Sequence, residues 1–189
     1  MTVAALFPQN LTIVSLFDRA PSPAATRLLR QDAFRDATQL RVGGASAAQR
    51  NLTAAQIDAA VTRAERAVLL VAEGAGCLAA AWWARLSPRD YVSRVAGSLL
   101  IAPEARAGQF ADFASPRSAL PFPSIVVGAD DTSQALAAEW GSRLVDGPLA
   151  VGTGRPSGRF QALLARFTSA IVEHDVQAAE RLIARIGDR

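Results

Sequence analysis

Apolar residues in this chain fall into short unbroken runs, which alternate with stretches where they recur every three or four positions. The unbroken runs are rich in β-branched residues and predict buried strands. The longer runs cover Leu11–Phe17, Ala67–Ala72, Val95–Ile101 and Ser124–Gly128, and the shorter, mixed stretches Gln39–Val42 and Arg143–Val145 predict two further short strands. Because the longer strands are mostly apolar rather than apolar at alternate positions, they are typical of a parallel sheet covered on both faces.

The stretches with helical spacing separate these strands. They predict helices over Ala24–Phe34, Ala54–Arg66 with Thr53 as its N-cap, Cys77–Arg85, Thr132–Trp140 ended by Gly141, and Phe160–Ile186. Alternating strands and helices predict an α/β fold, a three-layer α/β/α sandwich with a mainly parallel sheet. No internal repeat divides the sequence. We therefore expect one domain over residues 1–189, with a long C-terminal helical segment at about 159–187.

Length and cysteine content indicate the class and location of the protein. A chain of 189 residues can bury a core as a single domain. Cys77 is the only cysteine, so no intramolecular disulfide can form, which favours a reducing compartment. The first residues contain neither a basic segment nor the long apolar stretch of a signal peptide. Together these features predict a cytoplasmic protein.

Charge and hydropathy argue against two classes of partner. All 20 basic residues are arginine, the net charge is only +3, and the arginines stand singly among acidic residues. A nucleic-acid surface would need clustered cations. The longest apolar run, residues 67–84, is interrupted in its middle by Glu73 and two glycines, where a membrane span would be penalised. We expect neither nucleic acid nor a membrane as partner.

The most informative segment is the turn Glu73–Gly76, between the third predicted strand and the helix that follows it. A buried strand, a tight turn of small residues and a helix form the layout of the nucleophile elbow of α/β-hydrolases, whose central residue is a serine. Here the central residue is Gly74, which has no side chain. The elbow holds its central residue in a backbone conformation unfavourable for any residue with a Cβ, so we expect a positive φ at Gly74.

Four stretches resemble the small serine hydrolases related to retinoblastoma-binding protein 9 and to bacterial YdeN, a compact branch of the α/β-hydrolases. They are Val68–Ala80, where the family shows a strand and then Ala-His-Ser-x-Gly-Cys, followed by Gly97–Pro103, Leu120–Asp131 and Ala135–Asp146. Before Ala67 the resemblance is one of layout only. It implies the α/β-hydrolase fold, and the catalytic serine, histidine and acid in an intact member.

The departures from the family pattern fall on the catalytic positions. The nucleophilic serine of the family aligns with Gly74, and the histidine before it aligns with Glu73. The loop Gly147–Gly158, where the catalytic histidine belongs, contains none. The only histidine, His174, lies about 15 residues into the predicted terminal helix, roughly 20 Å away along a straight helix. Of the triad, only the acid has a counterpart, at Asp131.

The loop after the first strand departs as well. Family members carry a glycine-rich turn there that donates an N–H group to the oxyanion, whereas this chain has Asp18–Pro23, whose two prolines supply no N–H. Nucleophile, base and donor are thus all altered. The resemblance therefore implies no intact catalytic residue, and a vestigial pocket formed by Glu73, Gly74, Ala75 and Asp131.

We hypothesise a catalytically degenerate hydrolase-like protein with a binding or assembly role. The protein would use the vestigial pocket for a small molecule, the loop Glu104–Leu120, or the distal part of the C-terminal helix, Val176–Ile186, to pair two copies. Folding back on its own domain is an equal alternative for this helix. A second hypothesis is a hydrolase of a small ester or amide with a relocated site. That site would be built from Glu73, Asp131 and Glu104.

A third hypothesis is nucleotide binding. Gly74-x-Gly76-x-x-Ala79 matches the dinucleotide fingerprint that follows a strand. The fingerprint normally follows the first strand of its unit, however, and here two predicted strands come earlier. Glu73 would also place a carboxylate beside the pyrophosphate.

Other chemistry-bearing residues have structural interpretations. Cys77 follows the last glycine of the elbow and has no histidine to activate it, so we expect a buried structural cysteine. Asp130 and Asp131 make a poor metal set, and Asp131 is either the remnant acid or a cap for the next helix together with Thr132. We predict no metal and no cofactor. Trp82 and Trp83 are expected in and near the core.

Overall fold

The structure, a computed structural model, describes residues 11–23, 25–26, 37–103, 113 and 118–145. In chain order the elements within these ranges are β1 (Leu11–Phe17), β2 (Thr38–Arg41), α1 (Ala47–Arg63), β3 (Ala67–Glu73), α2 (Ala75–Leu86), α3 (Arg89–Val92), β4 (Val95–Ile101), β5 (Ser124–Val127), α4 (Asp131–Trp140) and β6 (Arg143–Val145). All six strands form one sheet. Each predicted strand is confirmed to within a residue.

The sheet is parallel throughout, and its four central strands are buried on both faces. Its strand order is β2-β1-β3-β4-β5-β6. Helices α1, α2 and α4 pack on the face that carries Leu16, Leu70 and Leu100, and the opposite face carries the buried Leu69 and Leu99. Burial on both faces explains why the strands lack polar alternation. The described residues therefore show the predicted α/β-hydrolase-like fold, a parallel sheet with α1, α2 and α4 packed on one face.

The prediction that Thr53 caps a helix over Ala54–Arg66 is wrong. Helix α1 begins at Ala47, and its N-cap is Ser46, whose Oγ accepts a hydrogen bond from the amide of Gln49 at 3.2 Å. The hydroxyl of Thr53 is buried inside the helix and donates instead to the carbonyl of Gly43 at 2.9 Å, which ties α1 to the loop after β2. The Ser-x-x-Gln spacing of the capping box marks the true start.

Other boundary differences are small. Helix α2 begins at Ala75, two residues before the predicted start, and the short α3 was not predicted. Trp83 is fully buried, and Trp82 packs edge-on against Phe113 with ring centroids 5.5 Å apart, which confirms their predicted positions. Several predictions concern residues outside those described: most of the helix over 24–34, most of the loop over 104–120, Gly147–Gly158, and the terminal segment with His174. They stay predictions, as does the single domain 1–189.

The sheet has a topological switch point between β1 and β3. The chain leaves β1 for β2 on one side and then returns to place β3 on the other. In open parallel α/β sheets, ligands bind in the crevice outside the carboxyl ends of the strands at such a point. Strand β1 ends at Phe17 and strand β3 at Glu73, and these two residues are register partners. The first loop (residues 18–23) and the elbow (residues 73–76) therefore meet at this crevice.

Candidate functional site

The sharp bend after β3 is made by Gly74. Its backbone has φ 60° and ψ −127°, so the predicted positive φ is confirmed. The Gly74 amide donates to the carbonyl of Ile101 at the end of β4 at 3.1 Å, and its own carbonyl accepts from the amide of Cys77 at 3.2 Å. Backbone hydrogen bonds to the next strand and to the first turn of α2 thus hold the bend in place. Because the residue at the bend is glycine, the bend presents no side chain where a nucleophile would stand.

The second glycine of the elbow is required by close packing. A Cβ added to Gly76 would lie 2.3 Å from the carbonyl oxygen of Leu16, a backbone atom of β1. No Cβ tolerates that distance, so only glycine lets the first turn of α2 approach β1 this closely. Gly76 explains how the helix packs against the sheet directly after the bend.

The space above Gly74 is occupied by the first loop. A Cβ built on Gly74 would lie 2.9 Å from Oδ1 of Asp18 and 3.7 Å from a guanidinium nitrogen of Arg19. Gly74 is buried as a result, although it stands at the strand-end edge of the sheet. The volume in which a nucleophile side chain would begin is therefore filled by a carboxylate from the neighbouring strand end.

Glu73 makes a second contact with the same loop. Its Oε2 accepts a hydrogen bond from the amide of Ser22 at 2.9 Å. Since Pro21 and Pro23 have no N–H group, the amide of Ser22 is the one backbone donor in that tripeptide. Ser22 also caps the helical turn that follows, because its Oγ accepts from the amide of Ala25 at 3.1 Å. The one backbone donor of the Pro21–Pro23 tripeptide is thus bound within the chain.

Cys77 lies beneath the elbow and is fully buried, as expected for a structural cysteine. Its Sγ donates to the carbonyl of Ile101, with a sulfur–oxygen distance of 3.6 Å. Burial raises the pKa of this thiol well above its usual value, and the nearby carboxylates of Glu73 and Asp18 raise that pKa further. The thiol therefore stays protonated at neutral pH and is a poor nucleophile.

Asp131 stands at the same edge of the sheet but apart from the elbow. It is the exposed first residue of α4, which follows β5, two strands from β3 and thus roughly 10 Å away. The prediction that Asp131 caps this helix is wrong. Asp130 is the N-cap, because its extended backbone lets Oδ1 accept from the amide of Ser133 at 2.7 Å. Interaction with the hydroxyl and amide of Ser133 lowers the pKa of Asp130.

The structure thus brings together part of the predicted pocket. Glu73, Gly74 and Ala75 are contiguous at the switch point, Asp131 lies two strands away, and Glu104 is outside the described residues. Sequence reasoning missed the role of Asp18. Its place directly after the first strand was the available signal, since the carboxyl ends of parallel neighbours meet at one edge.

Two classes of feature are absent from the part of the chain that the structure describes. No group of three or more histidine, cysteine, aspartate or glutamate side chains there is placed to hold a metal ion. None of the described helices combines the length and the apolar character needed to cross a membrane. The cytoplasmic location stays a prediction.

The sequence was compared with models of known protein families. The model of a family described as "Serine hydrolase" matches residues 27–158, which is more than half of the chain. The matched range includes the elbow, Asp131 and the loop Gly147–Gly158. A search of curated proteins finds no match.

Solved structures with the same fold include hydrolases and esterases. A YdeN-like hydrolase from Pectobacterium atrosepticum is 21% identical, with a TM-score of 0.66 over 86% of this chain and 93% of that one. The RedJ thioesterase of the prodiginine pathway in Streptomyces coelicolor is 13% identical, with a TM-score of 0.55 over 84% and 90% of the two chains. An esterase from Rhizomucor miehei, also 13% identical, has a TM-score of 0.54 over 88% and 77%. At these identities the likeness establishes the fold alone.

Proposed function

We infer that this chain, which belongs to the serine hydrolase family, is a catalytically degenerate member with a binding or assembly role. The observation that carries the inference is the state of the elbow. Its bend is formed, but at Gly74 it presents backbone where the elbow of the fold presents a nucleophile. Asp18 Oδ1 occupies the adjoining space, 2.9 Å from where a Cβ would stand. An intact bend without a nucleophile supports a scaffold kept for a purpose other than acyl transfer.

The other parts of the machinery support the same conclusion. The loop Gly147–Gly158 contains no histidine, and the amide of Ser22 is already bound to Glu73. Loss of the serine nucleophile or the histidine base costs on the order of 10⁶-fold in kcat in a serine protease. We therefore expect no turnover by the serine mechanism.

The two alternative hypotheses find less support at the site. A relocated hydrolase site would need Glu73 and Asp131 to converge, but Glu73 binds the Ser22 amide and Asp131 is exposed two strands away. A nucleotide at the Gly74–Gly76 turn would place its pyrophosphate beside the carboxylates of Asp18 and Glu73. Like charges at that distance disfavour such a complex.

A fluorophosphonate probe tests the loss of activity directly. We expect no labelling of the folded chain above a heat-denatured sample, and no turnover of a panel of short-chain esters. The variant Gly74→Ser is the matched control: it restores the hydroxyl but not the histidine, and it should also stay unlabelled. Labelling of the folded wild-type chain, or ester turnover proportional to its concentration, would contradict the inference.

The assembly role has its own measurement. Light scattering gives the mass of the full chain in solution, and a variant with Leu182 and Ile183 both changed to Asp removes two apolar positions of the predicted terminal helix. If this helix pairs two copies, the wild type is a dimer and the variant a folded monomer. A dimer that survives the double change excludes the terminal helix as its interface. Mass spectrometry of the purified protein, denatured after gentle isolation, tests for a copurifying small molecule.

A further inference from the structure

We propose that the first loop is latched across the elbow, so that the chain itself closes the crevice at the switch point. The latch has two parts: the carboxylate of Asp18 packs over Gly74, and the amide of Ser22 is held by Glu73. It goes beyond the loss of catalysis, because it concerns access to the crevice and not turnover. The closed state would hold whether or not the chain retained an activity.

The first part is a steric exclusion between positions 18 and 74. Asp18 Oδ1 lies 2.9 Å from the Cβ position of residue 74, closer than Cβ atoms are found to approach other atoms. The carboxylate and any side chain at residue 74 therefore compete for one space. In the conformation observed, a side chain at residue 74 would require the Asp18 carboxylate to move away.

The second part is a hydrogen bond between an acid and an isolated amide. Glu73 ends β3 and Ser22 stands five residues beyond the end of β1, yet their Oε2 and N atoms are 2.9 Å apart. Hydrogen bonds to a charged acceptor are among the stronger ones in proteins. The prolines at 21 and 23 stiffen the loop on either side of Ser22, and the bond to Glu73 ties this stiff segment to the end of β3.

The consequence concerns ligands of the old pocket. A small molecule that reached Gly74 would first have to displace the Asp18 carboxylate, and one that used the Ser22 amide would have to compete with Glu73. With the latch closed, the elbow is covered by the first loop of the same chain. Opening it is the conformational step that any occupant of this crevice requires.

A double-mutant cycle tests the first part. Gly74→Ala should lower the thermal midpoint by about 4–8 °C, from the strained φ together with the contact with Asp18. In the Asp18→Ala background the same change should cost at least about 2 °C less, because the contact is gone and only the strain remains. Gly141→Ala is the control, since Gly141 also has a positive φ (63°) but its Cβ would meet Ala119. Its loss should be equal in both backgrounds.

Amide exchange at Ser22 tests the second part without requiring a change at a glycine. Exchange should be about tenfold slower in the wild type than in Glu73→Ala, and the isosteric Glu73→Gln should retain most of this protection because its amide oxygen still accepts. Equal losses for Gly74→Ala in both backgrounds would overturn the steric part. Unchanged exchange at Ser22 in Glu73→Ala would overturn the hydrogen-bonded part. Neither result depends on whether the chain hydrolyses an ester.

Discussion

Two of the described strand–turn–helix junctions at the same edge of the sheet are built in opposite ways. At the junction of β5 and α4, Asp130 has an extended backbone, caps the helix with its side chain, and is exposed together with Asp131. At the junction of β3 and α2, Gly74 has a positive φ, provides no side-chain cap, and is buried beneath Asp18.

The difference separates local from tertiary causes. The β5–α4 junction is what a helix start requires by itself, because a capping carboxylate satisfies the free amides of the first turn. The β3–α2 junction is set by neighbouring strands: Leu16 of β1 leaves no room for a Cβ at Gly76, and Ile101 of β4 accepts from Gly74. Its geometry is that of a nucleophile site, and the contacts that maintain it come from the sheet.

The largest effect of burial at the β3–α2 junction should appear in the reactivity of Cys77 toward an alkylating reagent. Because the thiol is buried under the elbow with a raised pKa, alkylation in native buffer should be at least about 1000-fold slower than in 8 M urea. The rate of each reaction is measured by mass spectrometry, with free cysteine as a reference for the effect of urea on the reagent. Labelling of the native chain at a rate comparable to the urea sample would mean that the elbow opens readily.

The next largest effect is expected at Gly76. Gly76→Ala forces a Cβ against a backbone oxygen of β1, so it should lower the free energy of unfolding by about 3 kcal/mol, measured by urea titration. Gly43→Ala is the matched control, because its Cβ would meet Gln49 at an ordinary 3.6 Å. That change should alter stability by less than about 1 kcal/mol. Similar losses of unfolding free energy in the two variants would contradict the close packing of Gly76 against β1.

A smaller effect is expected at the capped junction. Asp130→Ala removes the cap of α4 and should cost about 1 kcal/mol of unfolding free energy. Asp131→Ala should cost no more than about 0.5 kcal/mol, since its exposed carboxylate contributes only through the helix dipole. Urea unfolding of the two variants gives the comparison. A larger loss of unfolding free energy for Asp131→Ala than for Asp130→Ala would show that Asp130 is not the cap.

The smallest effect is a pH dependence at the same cap. The folded pKa of Asp130 is lowered, so its carboxylate stabilises the fold above the ordinary aspartate value of about 3.9 and loses that contribution as the pH falls through the folded pKa. Asp130→Asn keeps a good N-cap that does not titrate. The thermal midpoint of the variant should therefore fall less than that of the wild type between pH 6 and pH 2.5. An equal loss would show that other groups account for the acid sensitivity.

Much of the fold was predictable because its signals are local. Mostly apolar runs identified the four central strands, and shorter mixed stretches marked β2 and β6. Gly141 correctly marked the end of α4 in a left-handed conformation. The errors also have local causes. Thr53 has the residue type of an N-cap, but its hydroxyl binds Gly43 from within the helix. The adjacent Asp130 and Asp131 cannot be told apart as caps until the backbone angles are known.

The site was predictable only in part. The bend at Gly74 follows from the strand, the small residues and the helix around it. The carboxylate that covers it comes from Asp18, 56 positions earlier in the chain, and no spacing rule links the two. The same holds for Ser22 and Glu73, whose hydrogen bond spans 51 positions.

The sequence alone determined the α/β class, the place of the elbow, and the absence of a hydroxyl at its centre, because each depends on the order and kind of neighbouring residues. Only the tertiary structure decided what occupies the space above Gly74. In a parallel sheet, strands that are distant in sequence end side by side at a switch point. The identity of those neighbours is set by strand order, which no single segment encodes.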